Sequence, residues 1–288
     1  EADLGKSTKS CLFRNEKPSH TVSLGIAEQN MMLVAAGIAS SGYVPFASTF
    51  AIFTERGFEQ VRNGIARPNI VVHLCGSHGG IHTGTDGSSA QSIEDLAIYR
   101  TLPNMTVIHP SDDLAARALT LSLRHHNQAS YMRTVRNKVQ RTYTEESATE
   151  LQIGRGHVHR NGNDVAIIAC GVMLNEAIEA ADILSSEGIE ASVVDMHTIK
   201  PLDEILLKET FATCRAVAVI EEHSRLGGAG SAVAEWLATK SNYKASFIQI
   251  ALPDEIFCHS GSQQYARDTL GLSGQNIGDQ VMAALKAR

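Results

Sequence analysis

The sequence predicts an α/β fold built from two consecutive α/β domains with largely parallel sheets. Short runs of β-branched and other apolar residues alternate with longer stretches in which apolar residues recur every three or four positions. This alternation is typical of parallel strands joined by helical crossovers. A polar stretch at residues 140–149 separates two such series. We therefore predict a first domain at residues 1–145, a linker at 146–152 and a second domain at 153–288.

The first domain begins at Glu1, and Ala2-Asp3-Leu4-Gly5 has the composition of a strand that enters a loop. We expect the first element of this domain to precede Glu1. A helical pattern of apolar residues covers 31–39. The next elements are a helix, two strands, a helix and a strand, at residues 58–65, 70–75, 106–108, 112–123 and 131–135. Ser111 is the predicted N-cap of helix 112–123.

The second domain continues the alternation. Its strands are predicted at residues 165–170, 191–195, 216–221 and 247–250. Its helices are predicted at residues 174–185, 229–238 and 276–285, and Gly227-Gly228 opens the second of them.

Composition excludes several classes of protein. The 288 residues carry a net charge of −6, which disfavours nucleic acid or an anionic membrane as the main partner. No apolar run has the length of a membrane span, and no signal peptide is visible. The 5 cysteines are scattered without CxxC spacing, so neither a disulfide framework nor a zinc site is expected. A cytoplasmic location fits this pattern.

Glu28 is the most informative residue of the chain. It stands in the run GIAEQNMM, at the head of an apolar helical pattern that we expect to be buried. Burying a carboxylate is costly unless it is paired or protonated. The alternative is an exposed first-turn glutamate that is stabilised by the helix dipole. We interpret Glu28 as a functional carboxylate.

A glycine-rich loop follows the predicted strand 70–75. It contains His78, His82 and the run Gly84-Thr85-Asp86-Gly87. Glycines permit tight and left-handed backbone, and loops after parallel strands are where α/β proteins bind ligands. An ordinary surface turn explains the same composition. With one nearby acid and no cysteine, the two histidines do not complete a zinc site, and we predict no metal site in this chain.

Three weaker patterns also point to ligands. Phe50 and Phe53 can stack on a planar heterocycle, or they can simply belong to the core. Arg133 and Arg136, at a strand end, can clamp a phosphate or can be solvated. Ser7 adds a hydroxyl donor in a short polar run.

Taken together, these segments resemble the C-terminal half of the transketolases. The motifs GIAEQNM, PFASTFAIFTERGFEQVR, LCGSHGG, TDGSSAQSIEDLA, LPNMTV and YMRTVR occur in the family's order and spacing. HTIKPLD and EEHSRLGGAG then match the C-terminal domain of that family. The resemblance covers essentially the whole chain.

The resemblance implies a thiamine diphosphate enzyme that transfers a two-carbon ketol group between phosphorylated sugars. Glu28 matches the catalytic glutamate that hydrogen-bonds N1′ of the aminopyrimidine, so that the 4′-imino nitrogen can remove the thiazolium C2 proton. Phe50 and Phe53 match the aromatic residues that pack on the pyrimidine ring. The resemblance assigns substrate binding to four residues: His78, Asp86, Arg136 and Ser7.

Two positions depart from the family pattern. Ala90, four residues after Asp86, replaces a His or Gln that faces the substrate in transketolases. Arg56 replaces an aromatic residue that some members carry after the second phenylalanine. The loss of a polar partner at position 90 leaves the donor sugar open, including a branched or sulfonated ketose.

The diphosphate-binding motif of the family is missing. Thr85 stands where the GDG motif has its first glycine, and Asn104 follows too closely to complete the Mg²⁺ site. We therefore expect thiamine diphosphate and Mg²⁺ to be anchored by an N-terminal transketolase subunit on another polypeptide. The expected assembly is a heterotetramer of two subunits of each kind (α2β2).

Two alternatives remain open. The β subunit of a 2-oxo acid dehydrogenase shares the two-domain plan, although GIAEQN, TDGSSAQ and HTIKPLD favour the transketolases. A non-catalytic scaffold subunit is the other alternative; Glu28, Phe53 and Asp86 argue against it, whereas Ala90 leaves it open. For the second domain we predict mainly a supporting role at the dimer interface.

Overall fold

The computed structural model describes residues 1–240 and 243–286, and these residues build two five-stranded sheets. Each sheet has four parallel strands and one antiparallel strand at an edge. Helices cover the sheets, and most strands consist mainly of buried residues. The predicted fold class, two α/β units with largely parallel sheets, is confirmed.

The first unit begins with helices and positions the candidate site at the ends of its strands. Its helices are α1 (Gly5–Thr8), α2 (Ser10–Glu16), α3 (Glu28–Ser40), α4 (Ala51–Thr54), α5 (Phe58–Val61), α6 (Asp95–Arg100) and α7 (Asp113–Leu123). Its own strands are β1 (Phe46–Phe50), β2 (His73–Ser77), β3 (Met105–Ile108) and β4 (Ala129–Arg133), in the order β1-β2-β4-β3.

The second unit follows the same plan. Its strands are β5 (His157–Arg160), β6 (Val165–Ala169), β7 (Ala191–Asp195), β8 (Thr198–Lys200), β9 (Ala216–Ser224) and β10 (Ser246–Leu252). Five of them form the sheet β10-β9-β6-β7-β5. Its helices are α8 (Leu174–Ser186), α9 (Glu204–Thr213), α10 (Ala229–Ala238), α11 (Gln263–Leu270) and α12 (Gly274–Lys286). No helix of the described chain is long and apolar enough to cross a membrane.

Strand β8 leaves the second unit and joins the first sheet. It pairs antiparallel with β3, where Lys200 lies opposite Val107 and Thr198 lies opposite Ile108. The main-chain nitrogen of His109 also donates to the carbonyl of His197 at 2.8 Å. The two halves of the chain are therefore held together by a shared sheet as well as by the connecting segment.

Several predicted elements are shifted in the structure. The predicted helix 58–65 is α5 followed by a π-helical turn over Arg62–Ala66, and β2 begins three residues later than predicted. The predicted N-cap of α7 is wrong. Asp112 takes that position and accepts from the nitrogen of Ala115 at 2.8 Å, whereas Ser111 donates to Asp195 at 2.9 Å. An ionised carboxylate is the stronger acceptor for a free helix N–H.

Candidate active site

Glu28 is the first residue of α3, and its side chain is buried, with 4% exposure. The exposed first-turn alternative is therefore wrong. Arg56 is the partner of the carboxylate: its Nη1 lies 3.4 Å from both Oε1 and Oε2. Charge-assisted bonds of this kind are usually about 2.7–2.9 Å long, so the contact is long. Within the described residues no other side chain hydrogen-bonds Glu28, and its carboxylate oxygens can accept a hydrogen bond from a further donor.

The two phenylalanines lie on either side of the turn from β1 into α4. Phe50 ends the strand and Phe53 lies in the helix, with ring centroids 5.5 Å apart and planes inclined by 15°. The guanidinium carbon of Arg56 lies 4.3 Å from the centroid of Phe53, a cation–π contact. Arg56 therefore joins the carboxylate of Glu28 to the aromatic pair.

His78 extends the aromatic group into the loop after β2. Its ring stacks on Phe50 at a centroid distance of 3.8 Å, and one ring nitrogen lies 2.7 Å from the hydroxyl of Ser77. The backbone is left-handed here, with φ at 63°. Burial, with the Arg136 guanidinium as the next cause, lowers the pKa of His78 to about 4. The ring is therefore neutral at pH 7 and offers one donor and one acceptor.

Asp86 and Arg136 form an ion pair beyond His78. Arg136 Nη1 donates to Asp86 at 2.9 Å and to the carbonyl of Thr83 at 2.9 Å. Both side chains are nearly half exposed, so the pair is weak and can exchange for a ligand. The loop thus presents a carboxylate and a guanidinium side by side at the surface.

The structure does not bring every predicted residue into this group. Ser7 lies exposed in α1, and in the described chain its hydroxyl contacts none of the other candidates. Arg133 is fully buried and is paired with Asp95, so its interpretation as a phosphate clamp is wrong. Strand β4 ends at Arg133, which directs that side chain into the protein, while Arg136 lies beyond the strand.

Two adjacent charged residues, Glu55 and Arg56, were not predicted as part of the site. Arg56 contacts the Glu28 carboxylate, whereas Glu55 accepts from the Ser92 hydroxyl at 2.8 Å. Burial, followed by the charge of Glu94, raises the pKa of Glu55 to about 8. The feature of the sequence that could have indicated these residues is the charged pair Glu55-Arg56, which begins two residues after Phe53.

No metal cluster lies among these residues. In residues 1–240 and 243–286, no group of three or more His, Cys, Asp or Glu side chains could hold a metal ion.

The protein also buries several histidines. Six histidines of the described chain are buried: His73, His78, His82, His109, His197 and His223. Burial lowers the pKa of five of them to about 4 and that of His109 to about 3. Burial shifts the pKa of carboxyl groups the other way, and it raises the pKa of Asp195 and Glu221 to about 7 and that of Glu55 to about 8.

We expect the free energy of unfolding to fall as the pH is lowered from 6.5 to 4.5, most steeply below pH 5.5. Near pH 5 the unfolded chain binds six histidine protons that the folded chain excludes, while the folded chain keeps three carboxyl protons that the unfolded chain has lost. Unfolding thus takes up about three protons, which is on the order of 4 kcal/mol per pH unit. Urea unfolding at a series of pH values measures this slope.

One variant tests the contribution of a buried histidine. His109→Gln removes a buried titrating group and is expected to reduce the slope by about one proton. A free energy of unfolding that stays constant from pH 6.5 to pH 4.5 contradicts the assignment.

Two family models match consecutive parts of the chain. The model described as "Transketolase, pyrimidine binding domain" matches residues 1–142. The model described as "Transketolase, C-terminal domain" matches residues 154–277. All the residues of the candidate site described above lie in the first match, and β5 to β10 lie in the second.

Individual relatives cover almost the whole chain. A "Putative transketolase C-terminal section" of Methanocaldococcus jannaschii is 37% identical over 287 residues, which are 99% of this chain and 89% of the relative. A 6-deoxy-6-sulfo-D-fructose transketolase subunit of Clostridium sp. (strain MSTE9) is 34% identical over 278 residues, which are 96% of this chain and 85% of the relative.

A solved structure agrees with these relatives. The structure titled "Split gene transketolase, inactive beta4 tetramer" superposes with a TM-score of 0.90 at 39% identity. The alignment covers 99% of this chain and 91% of that chain.

Proposed function

The chain belongs to the transketolase family, and on this premise we propose that it is the C-terminal subunit of a split transketolase. The resemblance inferred from the sequence motifs is confirmed. The proposed reaction is the transfer of a two-carbon ketol group between phosphorylated sugars. Support comes from the archaeal C-terminal section and from the split-gene structure, of which this chain covers 89% and 91%.

The buried carboxylate of Glu28 carries the proposal. The family depends on thiamine diphosphate, whose aminopyrimidine needs an acid partner at N1′ and an apolar wall. Glu28 is buried, has one long contact to Arg56, and is linked through Arg56 to the ring pair of Phe50 and Phe53. This chemistry fits the pyrimidine end of the cofactor. When bound, the cofactor supplies an electron sink for carbon–carbon bond cleavage.

The residues of the chain have distinct tasks in this proposal. The Glu28 carboxyl holds and shares a proton at N1′, and Phe50 and Phe53 orient the ring. Arg56, half exposed, is the ion-pair partner of Glu28. A buried group that shares a proton with the reacting system is a common source of rate enhancement.

The loop residues form the substrate end of the same site. Neutral His78 can both donate to and accept from a sugar hydroxyl. Arg136 can exchange Asp86 for the sugar phosphate, because guanidinium binds phosphate oxygens in a bidentate manner. Asp86 is then free to accept from a donor hydroxyl. Ser7 is proposed as a further phosphate contact on the strength of the resemblance alone.

The partner subunit supplies the rest of the site. We place the diphosphate anchor and its Mg²⁺ on an N-terminal subunit, in a cytoplasmic heterotetramer. The neighbouring split-gene structure is titled an inactive tetramer of β chains. By analogy, this chain alone is expected to be inactive.

Reconstitution tests the proposal. The full chain is assayed with xylulose 5-phosphate and an aldose phosphate acceptor, alone and after mixing with an N-terminal transketolase subunit. We expect no turnover by the chain alone and turnover by the mixture. Activity of the chain alone contradicts the split-site assignment, and a mixture that turns over no ketose contradicts the proposed reaction.

Ala90 is expected to set the choice of donor. It ends the short helical turn Ser88–Ala90, four residues after Asp86, and has no side chain that can bond a hydroxyl. The relative named for a sulfonated ketose makes such a donor a specific candidate. Ala90→Gln introduces a side-chain amide at this position. We expect it to raise the ratio of kcat/KM for xylulose 5-phosphate to kcat/KM for 6-deoxy-6-sulfofructose by up to about tenfold, which corresponds to one hydrogen bond.

A donor screen of the reconstituted complex checks this effect. Ser89→Gln, an exposed position in the same turn, is the matched control and should leave the ratio unchanged. If Ala90→Gln also leaves the ratio of the two donors unchanged, position 90 does not face the donor.

A further inference from the structure

The loop that carries His78 and Asp86 is held by the second unit. The main-chain nitrogen of Ile81 donates to Glu222 Oε1 at 2.9 Å, and Glu222 belongs to β9. Both residues are buried. The loop therefore crosses directly over a carboxylate from the other half of the chain.

Gly80 permits this close approach. A Cβ at this position would lie 2.5 Å from Glu222 Oε1 and 3.1 Å from the carbonyl oxygen of Glu222. Its φ of +70° also favours glycine. The loop backbone can therefore approach the Glu222 carboxylate closely because residue 80 has no side chain.

Glu222 is itself fixed from the side of the second unit. Its Oε2 accepts from Gln263 Nε2 at 2.8 Å and from Arg267 Nε at 2.9 Å. Arg267 is anchored in turn by Glu176, 2.8 Å from its Nη1. The carboxylate therefore has a defined position before the loop binds to it.

Two further contacts reach the loop from the second unit. Gln263 Nε2 also hydrogen-bonds the ring nitrogen Nε2 of His82. The hydroxyl of Ser260 donates to the carbonyl of Thr85 at 3.1 Å. The loop is thus held at residues 81, 82 and 85, and the last of these directly precedes Asp86.

We propose that Glu222, Gln263 and Ser260 are positioning residues of the sugar site. They fix the loop so that His78 and Asp86 meet the donor in one arrangement, which gives the second unit a share in substrate recognition. The inference rests on the proposed function. It goes beyond a supporting role for the second unit, because the contacts end on the loop and not on an interface.

Shortening one carboxylate tests the proposal. Glu222→Asp keeps the charge for Arg267 but withdraws the acceptor from Ile81. In the reconstituted complex we expect KM for xylulose 5-phosphate to rise about tenfold, the equivalent of one lost contact, while kcat changes less than about twofold. Glu176→Asp shortens the other carboxylate on Arg267 by the same amount, and should leave KM within about twofold of wild type.

A milder pair of variants covers the case in which Glu222→Asp does not fold. Gln263 is only partly buried, and Gln263→Ala removes its bonds to His82, Glu222 and Asn137. The exposed neighbour Gln264, which bonds Asp268, provides the control Gln264→Ala. KM should rise in the first variant and stay unchanged in the second.

Hydrogen exchange separates this inference from the proposed function. In the full chain alone, the Ile81 amide should exchange at least about tenfold faster in Gln263→Ala than in wild type or Gln264→Ala. Unchanged exchange overturns the inference, even if the complex turns over sugars. Faster exchange with unchanged KM also overturns it, whereas a wild-type complex without turnover counts against the proposed function only.

Discussion

Replacing Glu28 with glutamine is expected to lower kcat of the reconstituted complex by about 10³-fold, within the 10²–10⁴ range of general acid–base catalysis. The amide has the shape of the carboxyl group and still accepts a hydrogen bond, but it cannot share a proton with N1′ of the cofactor. Steady-state turnover of xylulose 5-phosphate with saturating thiamine diphosphate and Mg²⁺ measures the loss.

Glu59→Gln is the matched control. Glu59 lies in α5, close to the same site in sequence, but it is exposed, and among the described residues its side chain bonds Gln60 and Asn63. We expect its complex to turn over normally. If the Glu28→Gln complex also keeps its kcat within about threefold of wild type, the carboxyl of Glu28 has no part in the chemistry.

Replacing Asp95 with asparagine is expected to cost about 3–5 kcal/mol of stability, the usual penalty for breaking a buried ion pair. Asp95 and Arg133 are both fully buried. Tyr131 also donates to Asp95, at 2.6 Å, and Arg133 donates to the carbonyl of Glu222 in the second unit at 2.8 Å. Without the carboxylate, a buried guanidinium loses its counter-charge at the junction of the two units.

Urea unfolding of the full chain at pH 7 measures this loss. Asp182→Asn makes the same chemical change in an exposed pair with Arg160, which should cost less than about 1 kcal/mol. Equal costs for the two variants would contradict a large stabilising contribution from the buried pair of Asp95 and Arg133.

The central strands of the second unit could be predicted from the sequence because burial on both faces leaves a continuous apolar run. The prediction for β7 agrees with the structure in both limits, and that for β6 ends one residue late. Strand β1 was not predicted: its sequence, FASTF, mixes small and hydroxyl residues and has no distinct pattern. Strand β8, of three residues, forms only because β3 offers it a free edge, which no local pattern encodes.

The burial of Glu28 could also be predicted, since a carboxylate stood at the head of an apolar helix pattern. The different positions of Arg133 and Arg136 could not be predicted. Each arginine follows an apolar residue near the strand end. Strand β4 ends at Arg133, whose side chain turns inward to Asp95, whereas Arg136 lies beyond the strand and stays at the surface. The hydrogen bond from Ile81 to Glu222 joins residues that are 141 positions apart, so sequence spacing does not predict it.

Exchange of the C2 hydrogen of bound thiamine diphosphate with D₂O needs no sugar, so it measures directly whether Glu28 of this chain activates a cofactor that a partner subunit anchors. We expect rapid exchange in the complex with the N-terminal subunit, and exchange at least about 10²-fold slower in the Glu28→Gln complex. Equal exchange rates in the wild-type and Glu28→Gln complexes would contradict this role of Glu28.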